Sequence, residues 1–350
     1  MPEFRIAVLP GDGIGPDVTA EGLKTLRAVE SAIPELRFHC DEMPVGAGEF
    51  LCGGNPLPAE TLERMKDYDV ILLGAMGLPG VRWPDGKEMT PQIDIREKLD
   101  LYCGVRPIRT YHADDSPLKK GANIDFVLIR ENTEGLFFGR HGSADLNGDA
   151  AEDTMRVTRH ASVRLFHSAF KLARERRGKV TLVDKANVLP SMAYFRGIFE
   201  LIAKEYPDIQ TEAIYVDAAA LFLVRRPQDF DVMVTENMFG DILSDLAAGL
   251  VGGMGMAPSG DIGDKYAVFQ PSHGTAPDIA GKGIANPVAM ILSTAMMLDW
   301  LPGDAAKQGG RLLHRAVERV LADPSLRTPD VGGTMKTHEM GDRIAAAVMA

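Results

Sequence analysis

The hydrophobic residues along the chain form two kinds of pattern that alternate. Short runs rich in Val, Ile and Leu are typical of buried strands. Five such runs stand at residues 5–9, 69–74, 125–130, 179–184 and 230–235. Apolar residues at helical spacing are clearest at residues 160–177, 191–206, 238–250, 287–301 and 311–322. Strands that alternate with helices in this way predict an α/β fold with much parallel sheet.

One segment fits neither pattern. Residues 139–153 read GRHGSADLNGDAAED, which is polar and contains several glycines. Such a composition is typical of a surface loop or of an arm that reaches away from the body of a protein. The residues by themselves leave both interpretations open.

The composition narrows the class of protein. At 350 residues, 45% of them hydrophobic, the chain can bury a sizeable core and is long enough for two domains. The net charge of −11 and the lack of a basic run argue against nucleic acid or anionic lipid as the main partner, because either would be repelled. If the substrate is an anion, a few local arginines must attract it.

Cysteine use and hydropathy indicate a cytoplasmic protein. Cys40, Cys52 and Cys103 are an odd number without ligand-like spacing, which suits a reducing compartment better than a disulfide framework. The N-terminal residues lack the pattern of a secretion signal. The longest apolar stretch without charge, residues 283–298, falls short of the roughly 20 residues that a membrane span needs.

The glycine-rich segment PGDGIGP at residues 10–16 follows the first predicted strand and opens a helix. It differs from the dinucleotide-binding fingerprint GxGxxG, because Pro16 stands where the third glycine should be. A tight strand-to-helix turn with Pro16 at the start of the helix is favoured over direct binding of a phosphate.

Three arginines, Arg96, Arg106 and Arg130, flank strand-like segments. A guanidinium group grips a carboxylate by paired hydrogen bonds, so three of them suit a di- or tricarboxylate. Taken singly, each arginine is as easily explained as a solvated surface charge.

Two aspartates, Asp241 and Asp245, lie one helical turn apart in ENMFGDILSDLAAGL at residues 236–250. On one helix face their charges repel each other unless a cation lies nearby. Carboxylate oxygens favour Mg²⁺ or Mn²⁺ over zinc. The alternative is an exposed acidic face. Asp217 follows a strand-like segment and either completes a carboxylate site or caps the next helix.

Two further segments carry candidate chemistry. Lys185 follows a strand in VDKANVLP, where it is either a base with a lowered proton affinity or an ordinary surface lysine. Residues 273–287, HGTAPDIAGKGIANP, form a glycine-rich loop that can present backbone donors to phosphates. Asp278 in this loop would accept a hydrogen bond from a ribose 2′-hydroxyl and repel a 2′-phosphate, which predicts NAD as the cofactor.

Together these motifs resemble one family, the β-decarboxylating dehydrogenases of isocitrate, 3-isopropylmalate, homoisocitrate and tartrate or D-malate. The matching segments occur in the family's order and spacing over almost the whole chain. They are PGDGIGP, RPIR, RENTEG, DKANVL, residues 230–250 and HGTAPDIAGKGIANP.

The resemblance implies an α/β isopropylmalate-dehydrogenase-like two-domain fold, which is not a Rossmann fold and has a shared mixed sheet. Residues 1–101 and 252–350 would form a discontinuous cofactor-binding domain. Residues 102–251 would form the substrate, metal and dimerisation domain, with an arm near residues 139–153. The family also implies a homodimer in which Lys185 and Asp217 enter the partner's site.

By resemblance, the site residues take defined roles. Arg96, Arg106 and Arg130 would hold the malate carboxylates, and Asp241, Asp245 and the partner's Asp217 would hold Mg²⁺ or Mn²⁺. Lys185 would help remove the hydroxyl proton as hydride passes to NAD, and CO₂ would then leave. The residues expected at the NAD site are His273, Gly274, Asp278, Ile279 and Asn286.

The chain departs from the family in two places. The family's proton-donating tyrosine aligns with Phe137, and a phenyl ring cannot donate a proton. In the segment that contacts the 3-substituent, Thr90 and Gln92 imitate isocitrate enzymes imperfectly, and a buried amide sits poorly against an isopropyl group.

The leading expectation is NAD- and divalent-metal-dependent oxidative decarboxylation of a 3-substituted (R)-malate of the 3-isopropylmalate type. Tartrate, D-malate, isocitrate and homoisocitrate remain open as substrates. A non-catalytic regulatory subunit is the alternative of another class. The retained lysine, aspartates and arginines speak against that alternative.

Overall fold

The computed structural model describes residues 2–118, 123–142 and 148–350, and its described strands form one ten-stranded sheet. The strands are β1 (Glu3–Gly11), β2 (Arg37–Glu42), β3 (Val70–Ala75), β4 (Cys103–Arg109), β5 (Asp125–Glu131), β6 (Lys179–Asp184), β7 (Gln210–Tyr215), β8 (Val232–Thr235), β9 (Pro258–Ile262) and β10 (Ala267–Pro271). Their order across the sheet is β2-β1-β3-β10-β9-β4-β5-β8-β6-β7.

The helices alternate with these strands along the chain. They are α1 (Gly15–Ala32), α2 (Ala47–Gly53), α3 (Ala59–Met65), α4 (Pro91–Lys98), α5 (Arg159–Arg174), α6 (Pro190–Ala203), α7 (Val216–Arg225), α8 (Asn237–Gly249), α9 (Val288–Trp300), α10 (Asp304–Leu321) and α11 (Thr337–Met349). No helix of the described ranges is long and apolar enough to cross a membrane.

The sheet consists of two parallel blocks joined through an antiparallel centre. Strands β2, β1, β3 and β10 run parallel, as do β5, β8, β6 and β7. The pairs β10·β9, β9·β4 and β4·β5 are antiparallel. The predicted mixed sheet is therefore confirmed. The predicted domain boundaries near residues 101 and 251 stay a prediction. If the chain divides there, the pairing of β4 with β9 connects the two domains.

The five predicted strand runs are confirmed as β1, β3, β5, β6 and β8. The hydrophobic pattern does not predict β2, β4 or β9, because charged residues, glycine or proline interrupt them. Prolines are tolerated there, and the strands form through pairing with their neighbours.

The five predicted helices are also confirmed, with one difference in length. Helix α10 begins at Asp304, seven residues before the predicted start, and runs through Gly309 and Gly310. A β-carbon on Gly309 would lie 2.8 Å from Val29, and one on Gly310 would lie 2.1 Å from Asp299. The two glycines that hide the helical pattern thus allow close packing against α1 and α9.

The segment PGDGIGP forms the predicted tight turn between β1 and α1. Gly11 and Gly13 have positive φ angles of 74° and 58°, and a β-carbon on Gly11 would lie 1.9 Å from the carbonyl oxygen of Ala75. The buried Asp12 carboxylate accepts backbone hydrogen bonds from Ala47, Gly48 and Gly77. The aspartate of this motif therefore fixes neighbouring loops.

Two large apolar clusters lie on the two blocks of the sheet. One joins α1, α9, α10 and α11 to β1 and β3. The other joins α5 and α6 to β6 and β8, and closely packed phenylalanines such as Phe166 and Phe195, whose ring centres lie 4.6 Å apart, fill it. The predicted loop or arm at residues 139–153 lies partly outside the described residues, because 143–147 are among those not described. Its role as an arm stays a prediction.

Candidate functional site

A cavity of about 330 Å³, which we call the arginine cavity, lies at the antiparallel centre of the sheet. It is lined by charged groups from α4, β4, β5 and α8 and by the segment after β10. Its charged and polar lining residues are Gln92, Arg96, Arg106, Arg130, Asp241, Asp245, Gln270, Ser272 and His273. The fold thus brings together all three predicted arginines and both predicted helix aspartates, although up to 149 positions separate them in sequence.

Arg130, at the end of β5, is held from α8. Its Nε and Nη2 donate hydrogen bonds of 2.9 and 2.7 Å to Asn237 Oδ1, and its Nη1 donates to Asp241. A β-carbon on Gly240 would lie 2.7 Å from Arg130 Cγ, so the helix can approach this closely only with glycine there. Burial, and then the like charge of Arg96, lowers the pKa of Arg130 to about 10. The guanidinium remains protonated at neutral pH.

Arg96 is paired with a carboxylate that the motifs do not reveal. Its Nε donates a 2.9 Å hydrogen bond to Asp261 on β9, a residue with no exposed surface. Burial by itself would raise the pKa of Asp261, but the charges of Arg96 and Arg106 outweigh it and hold the pKa below its usual range. Asp261 is therefore a fixed negative charge beneath the arginines.

Arg106 on β4 has donor capacity left for a ligand. Its Nη1 donates a 2.6 Å hydrogen bond to Ser272 Oγ. Its Nε is buried and finds no acceptor in the part of the chain that the structure describes. Burial lowers the pKa of Arg106, and the nearby charge of Asp261 opposes that shift. Because this Nε has almost no exposed surface, a carboxylate that enters the cavity would meet the outer nitrogens of the guanidinium instead.

Asp241 and Asp245 present oxygen atoms to the cavity from one face of α8. Partial burial, and then the like charge of Asp241, raises the pKa of Asp245. A divalent cation would relieve this repulsion, and hard carboxylate ligands suit Mg²⁺ or Mn²⁺. Within the described ranges, no cluster of three His, Cys, Asp or Glu side chains could hold a metal ion. The two aspartates fit such an ion but do not complete its coordination.

Lys185 and Asp217 lie apart from this cavity. Lys185 is in the segment before α6, and Asp217 is in the first turn of α7. Lys185 Nζ donates a 2.7 Å hydrogen bond to Asp217 Oδ1. That hydrogen bond lowers the pKa of the exposed Asp217. Neither residue is among those that line the cavity of the same chain. Their predicted entry into a partner's site stays a prediction.

The predicted cofactor loop connects β10 to α9, and its residues differ in environment. His273 and Gly274 line the cavity. The His273 Nδ1 lies 2.9 Å from the Gly274 carbonyl oxygen, and burial lowers the pKa of this histidine, which is therefore neutral at pH 7. Asp278 is exposed at the surface.

The other two residues of the predicted NAD site are packed inward. Ile279 contacts the large apolar cluster of α1 and α9. The buried Asn286 donates from Nδ2 to Asp330 Oδ2 at 3.1 Å and accepts from the Val288 backbone at 3.0 Å. Both therefore hold the shape of the loop, whatever ligand it contacts.

The residues expected near the 3-substituent occupy two adjoining cavities. Gln92 lines the arginine cavity, and its buried Oε1 finds no donor among the residues described. Thr90 does not line that cavity but a second one of about 510 Å³. Ile93 and Phe137 line both cavities, so they separate the two spaces. The Arg130 guanidinium lies 5.1 Å from the Phe137 ring centre.

The sequence patterns do not single out several residues of the site. Asp261, Asn237, Gln270 and Ser272 all contact the arginines directly or through Asp261. A charged residue inside the strand-like PSGDI is the one signal that points to Asp261, because a buried charge in a strand requires a partner.

The chain is similar to known proteins over nearly its whole length. The family model for isocitrate/isopropylmalate dehydrogenase matches residues 5–344. The 3-isopropylmalate dehydrogenase of Aquifex aeolicus is 44% identical, over 98% of this chain and 97% of that protein. The 3-isopropylmalate dehydrogenase of Bacillus subtilis is 42% identical, over 99% and 97%. The predicted resemblance is therefore confirmed.

Solved structures support the same relationship. The isocitrate dehydrogenase from Methylococcus capsulatus superposes with a TM-score of 0.88 at 38% identity, covering 99% of this chain and 100% of that one. The β-decarboxylating dehydrogenase from Thermococcus kodakarensis gives a TM-score of 0.82 at 38% identity, covering 99% and 96%. The predicted fold class is confirmed as well.

Proposed function

The chain belongs to the isocitrate/isopropylmalate dehydrogenase family and is a decarboxylating dehydrogenase, and we propose that its substrate is a 3-substituted (R)-malate, with 3-isopropylmalate first. The observation that carries this proposal is the cavity in which three arginines face two aspartates. Guanidinium groups are suited to substrate carboxylates, and the aspartate oxygens to a divalent ion. The named relatives at 42–44% identity favour 3-isopropylmalate.

In the proposed reaction the arginines orient the substrate. Arg106 is held by Ser272 and Arg130 by Asn237, and both line the cavity, so both can fix carboxylate positions at little entropic cost. Asp241 and Asp245, with Asp217 of the partner subunit, would hold Mg²⁺ or Mn²⁺. The ion would polarise the new carbonyl and stabilise the enolate left by CO₂.

The proposed reaction has two proton transfers, and the chain offers a residue for one of them. Lys185 of the partner subunit would accept the C2 hydroxyl proton as hydride leaves for NAD. The cavity wall offers Phe137 where the family has a tyrosine, so the proton for C3 must come from another group. This departure is the observation that favours the second candidate, a non-catalytic subunit. Retention of every charged site residue favours the enzyme.

We assign the cofactor site to the loop after β10. Exposed Asp278 would accept from the ribose 2′-hydroxyl of NAD and repel the 2′-phosphate of NADP. Residues 1–101 and 252–350 would form the cofactor-binding domain, and residues 102–251 the substrate domain. The three free cysteines suit the cytoplasm as the location.

A homodimer is part of the proposal, because the site is incomplete in one chain. Three large apolar side chains on two helices are about half exposed. They are Leu221 and Val224 on α7 and Ile242 on α8, at 53%, 46% and 59%. They lie on the helices that carry Asp217 and Asp241. A second copy covering this surface would bring the Lys185–Asp217 pair of one chain towards the cavity of the other.

The test is a substrate panel with the purified full chain, NAD and Mn²⁺. The panel contains 3-isopropylmalate, D-malate, tartrate, isocitrate and homoisocitrate, and both NADH and CO₂ are measured. We expect NADH and CO₂ in equal amounts with 3-isopropylmalate, and none from the Asp245→Asn variant. A preference for another member of the panel would identify that compound as the substrate in place of 3-isopropylmalate. No product from any member, with NAD binding intact, would favour the non-catalytic subunit.

A further inference from the structure

The positive and negative charges of the residues that line the arginine cavity do not sum to zero. Arg96, Arg106 and Arg130 contribute three positive charges. Asp241 and Asp245 contribute two negative charges, which the proposed divalent ion would offset. Lys185 and Asp217 pair with each other and add no net charge. Among the described residues, Asp261 is a further charge that acts on these arginines, and the proposed mechanism does not use it.

Asp261 is built into the protein as a permanent anion. It has no exposed surface, so it cannot contact the substrate. Its Oδ2 accepts from Arg96 Nε at 2.9 Å and from Gln270 Nε2 at 2.5 Å, and its Oδ1 accepts from Asn132 Nδ2 at 2.8 Å. These donors come from α4, β10 and the segment after β5. With this many donors the carboxylate is held ionised.

The buried anion cancels one of the three arginine charges. The arginines and Asp261 together present two net positive charges to a ligand, in a region where burial weakens screening by solvent. A substrate with two carboxylates matches that charge. A third carboxylate would enter the cavity without a compensating cation and would be repelled by Asp261 through the arginines.

We propose that Asp261 determines substrate specificity by charge, so that this site selects dicarboxylates over tricarboxylates. The inference rests on the proposed function and sharpens it. Malates with an uncharged 3-substituent become the substrate class, and isocitrate and homoisocitrate become poor substrates. The uncharged amide of Gln92 beside the cavity agrees with this assignment, because it adds no positive charge for a third carboxylate.

The test compares substrates of different charge on Asp261→Asn, which removes the charge and keeps the shape. The ratio of kcat/KM for isocitrate to that for 3-isopropylmalate is measured with NAD and Mn²⁺. We expect wild type to favour the dicarboxylate, and the ratio to rise on the order of tenfold in D261N. An equal loss on both substrates would show a purely structural role and overturn the proposal.

Two further variants separate charge from position. Gln270 lies within hydrogen-bond distance of Asp261, so D261N combined with Gln270→Glu returns the charge to the neighbouring side chain. We expect the wild-type ratio in this double variant. Asp264→Asn removes one negative charge from an exposed position three residues away, and we expect no change in the ratio. A shift as large as that of D261N would refute the role of the buried site.

A binding measurement keeps the two proposals distinguishable. The rise in Tm caused by isocitrate and by 3-isopropylmalate is measured without NAD for the same variants. If no substrate turns over, the proposed function fails, and the order of the two Tm shifts still tests Asp261. If D261N does not fold, Ser272→Asp adds a negative charge within hydrogen-bond distance of Arg106 and should weaken isocitrate more than 3-isopropylmalate. Equal weakening would overturn the proposal.

Discussion

Two ion pairs of nearly equal length stand in opposite surroundings. Arg96 and Asp261 are 2.9 Å apart, with 9% and 0% of their side chains exposed. Lys185 and Asp217 are 2.7 Å apart, with 27% and 69% exposed. Loss of one partner in the first pair leaves a buried charge without compensation, which is strongly unfavourable. The second pair is solvated, so either partner can leave it at small cost.

The comparison shows which part of the site one chain completes by itself. Strand pairing and hydrogen bonds within one chain hold the three arginines of the cavity. The Lys185–Asp217 pair lies outside that cavity, and neither residue is among the described residues that line it. The buried Arg96–Asp261 pair is thus suited to fix the position of the cavity residues. The Lys185–Asp217 pair is suited to act on a substrate bound in the cavity of a second chain.

The largest expected effect comes from the exposed pair. Lys185→Met should leave Tm nearly unchanged, because the lysine is only partly buried and its partner Asp217 stays in contact with solvent. It should lower kcat by about 10² to 10⁴, because a general base is lost. Steady-state kinetics with 3-isopropylmalate and a thermal melt measure the two effects. A loss of activity that simply follows a loss of folded protein would contradict this assignment.

Mixing two inactive variants sharpens the same point. Lys185→Met and Asp245→Asn dimers are unfolded together, refolded and assayed against each variant refolded alone. If sites are shared, each mixed dimer contains one intact site, and about a quarter of wild-type activity returns. If each chain carries a complete site, mixing restores nothing, and the proposed dimer is wrong.

The next effect concerns stability in the buried region. Burial raises the pKa of Glu131, the residue after Arg130, to about 7, despite hydrogen bonds from Thr133 and the Glu134 backbone. The folded chain therefore binds this proton more tightly than the unfolded chain. Stability is lost as pH rises from about 4.5 to 7, by about 3 kcal/mol in total.

Glu131→Gln removes that dependence. The free energy of unfolding of wild type minus that of the variant should fall between pH 5 and pH 8, as followed by denaturant titration. Asp217→Asn serves as the exposed comparison, and its difference from wild type should change little over this range. A flat difference for Glu131→Gln would show that Glu131 is not protonated in the folded protein.

The smallest effect lies at the wall between the two cavities. Phe137→Tyr places a phenol at the cavity, where the Arg130 charge 5.1 Å from the ring favours proton release. We expect kcat to rise about tenfold, because a general acid is supplied for C3. The control is Phe138→Tyr, since Phe138 is exposed, packs on Arg156 and does not line the arginine cavity. A rise in both variants would exclude a specific proton donor at 137.

Local sequence patterns predicted much of the fold and of the site. Strands β1, β3, β5, β6 and β8 are continuous apolar runs, so their state follows from composition. Residue chemistry and spacing marked the arginines and the α8 aspartates as candidates with an ordinary surface alternative, the family resemblance assigned their roles, and the cavity brings them together. Strands β2, β4 and β9 escaped prediction, because their residues form strands only when a neighbouring strand supplies hydrogen-bond partners.

Thr90 shows why proximity in sequence is a weak guide to a cavity. It precedes Gln92 by two residues, yet it faces the second cavity, because α4 begins between them at Pro91 and rotates successive side chains about its axis. Gln92 and Arg96 lie one helical turn apart and therefore reach the same space.

The sequence by itself determined the alternation of strands and helices, the tight turn before α1 and the identity of the charged residues. These properties depend on neighbours within one element or turn. Only the tertiary structure decided that Asp261 lies beneath Arg96, because β9 had to pair with β4 and β10 to bring residues 165 positions apart together. It also separated the Lys185–Asp217 pair from the cavity. Long-range pairing sets such distances, and no local pattern encodes them.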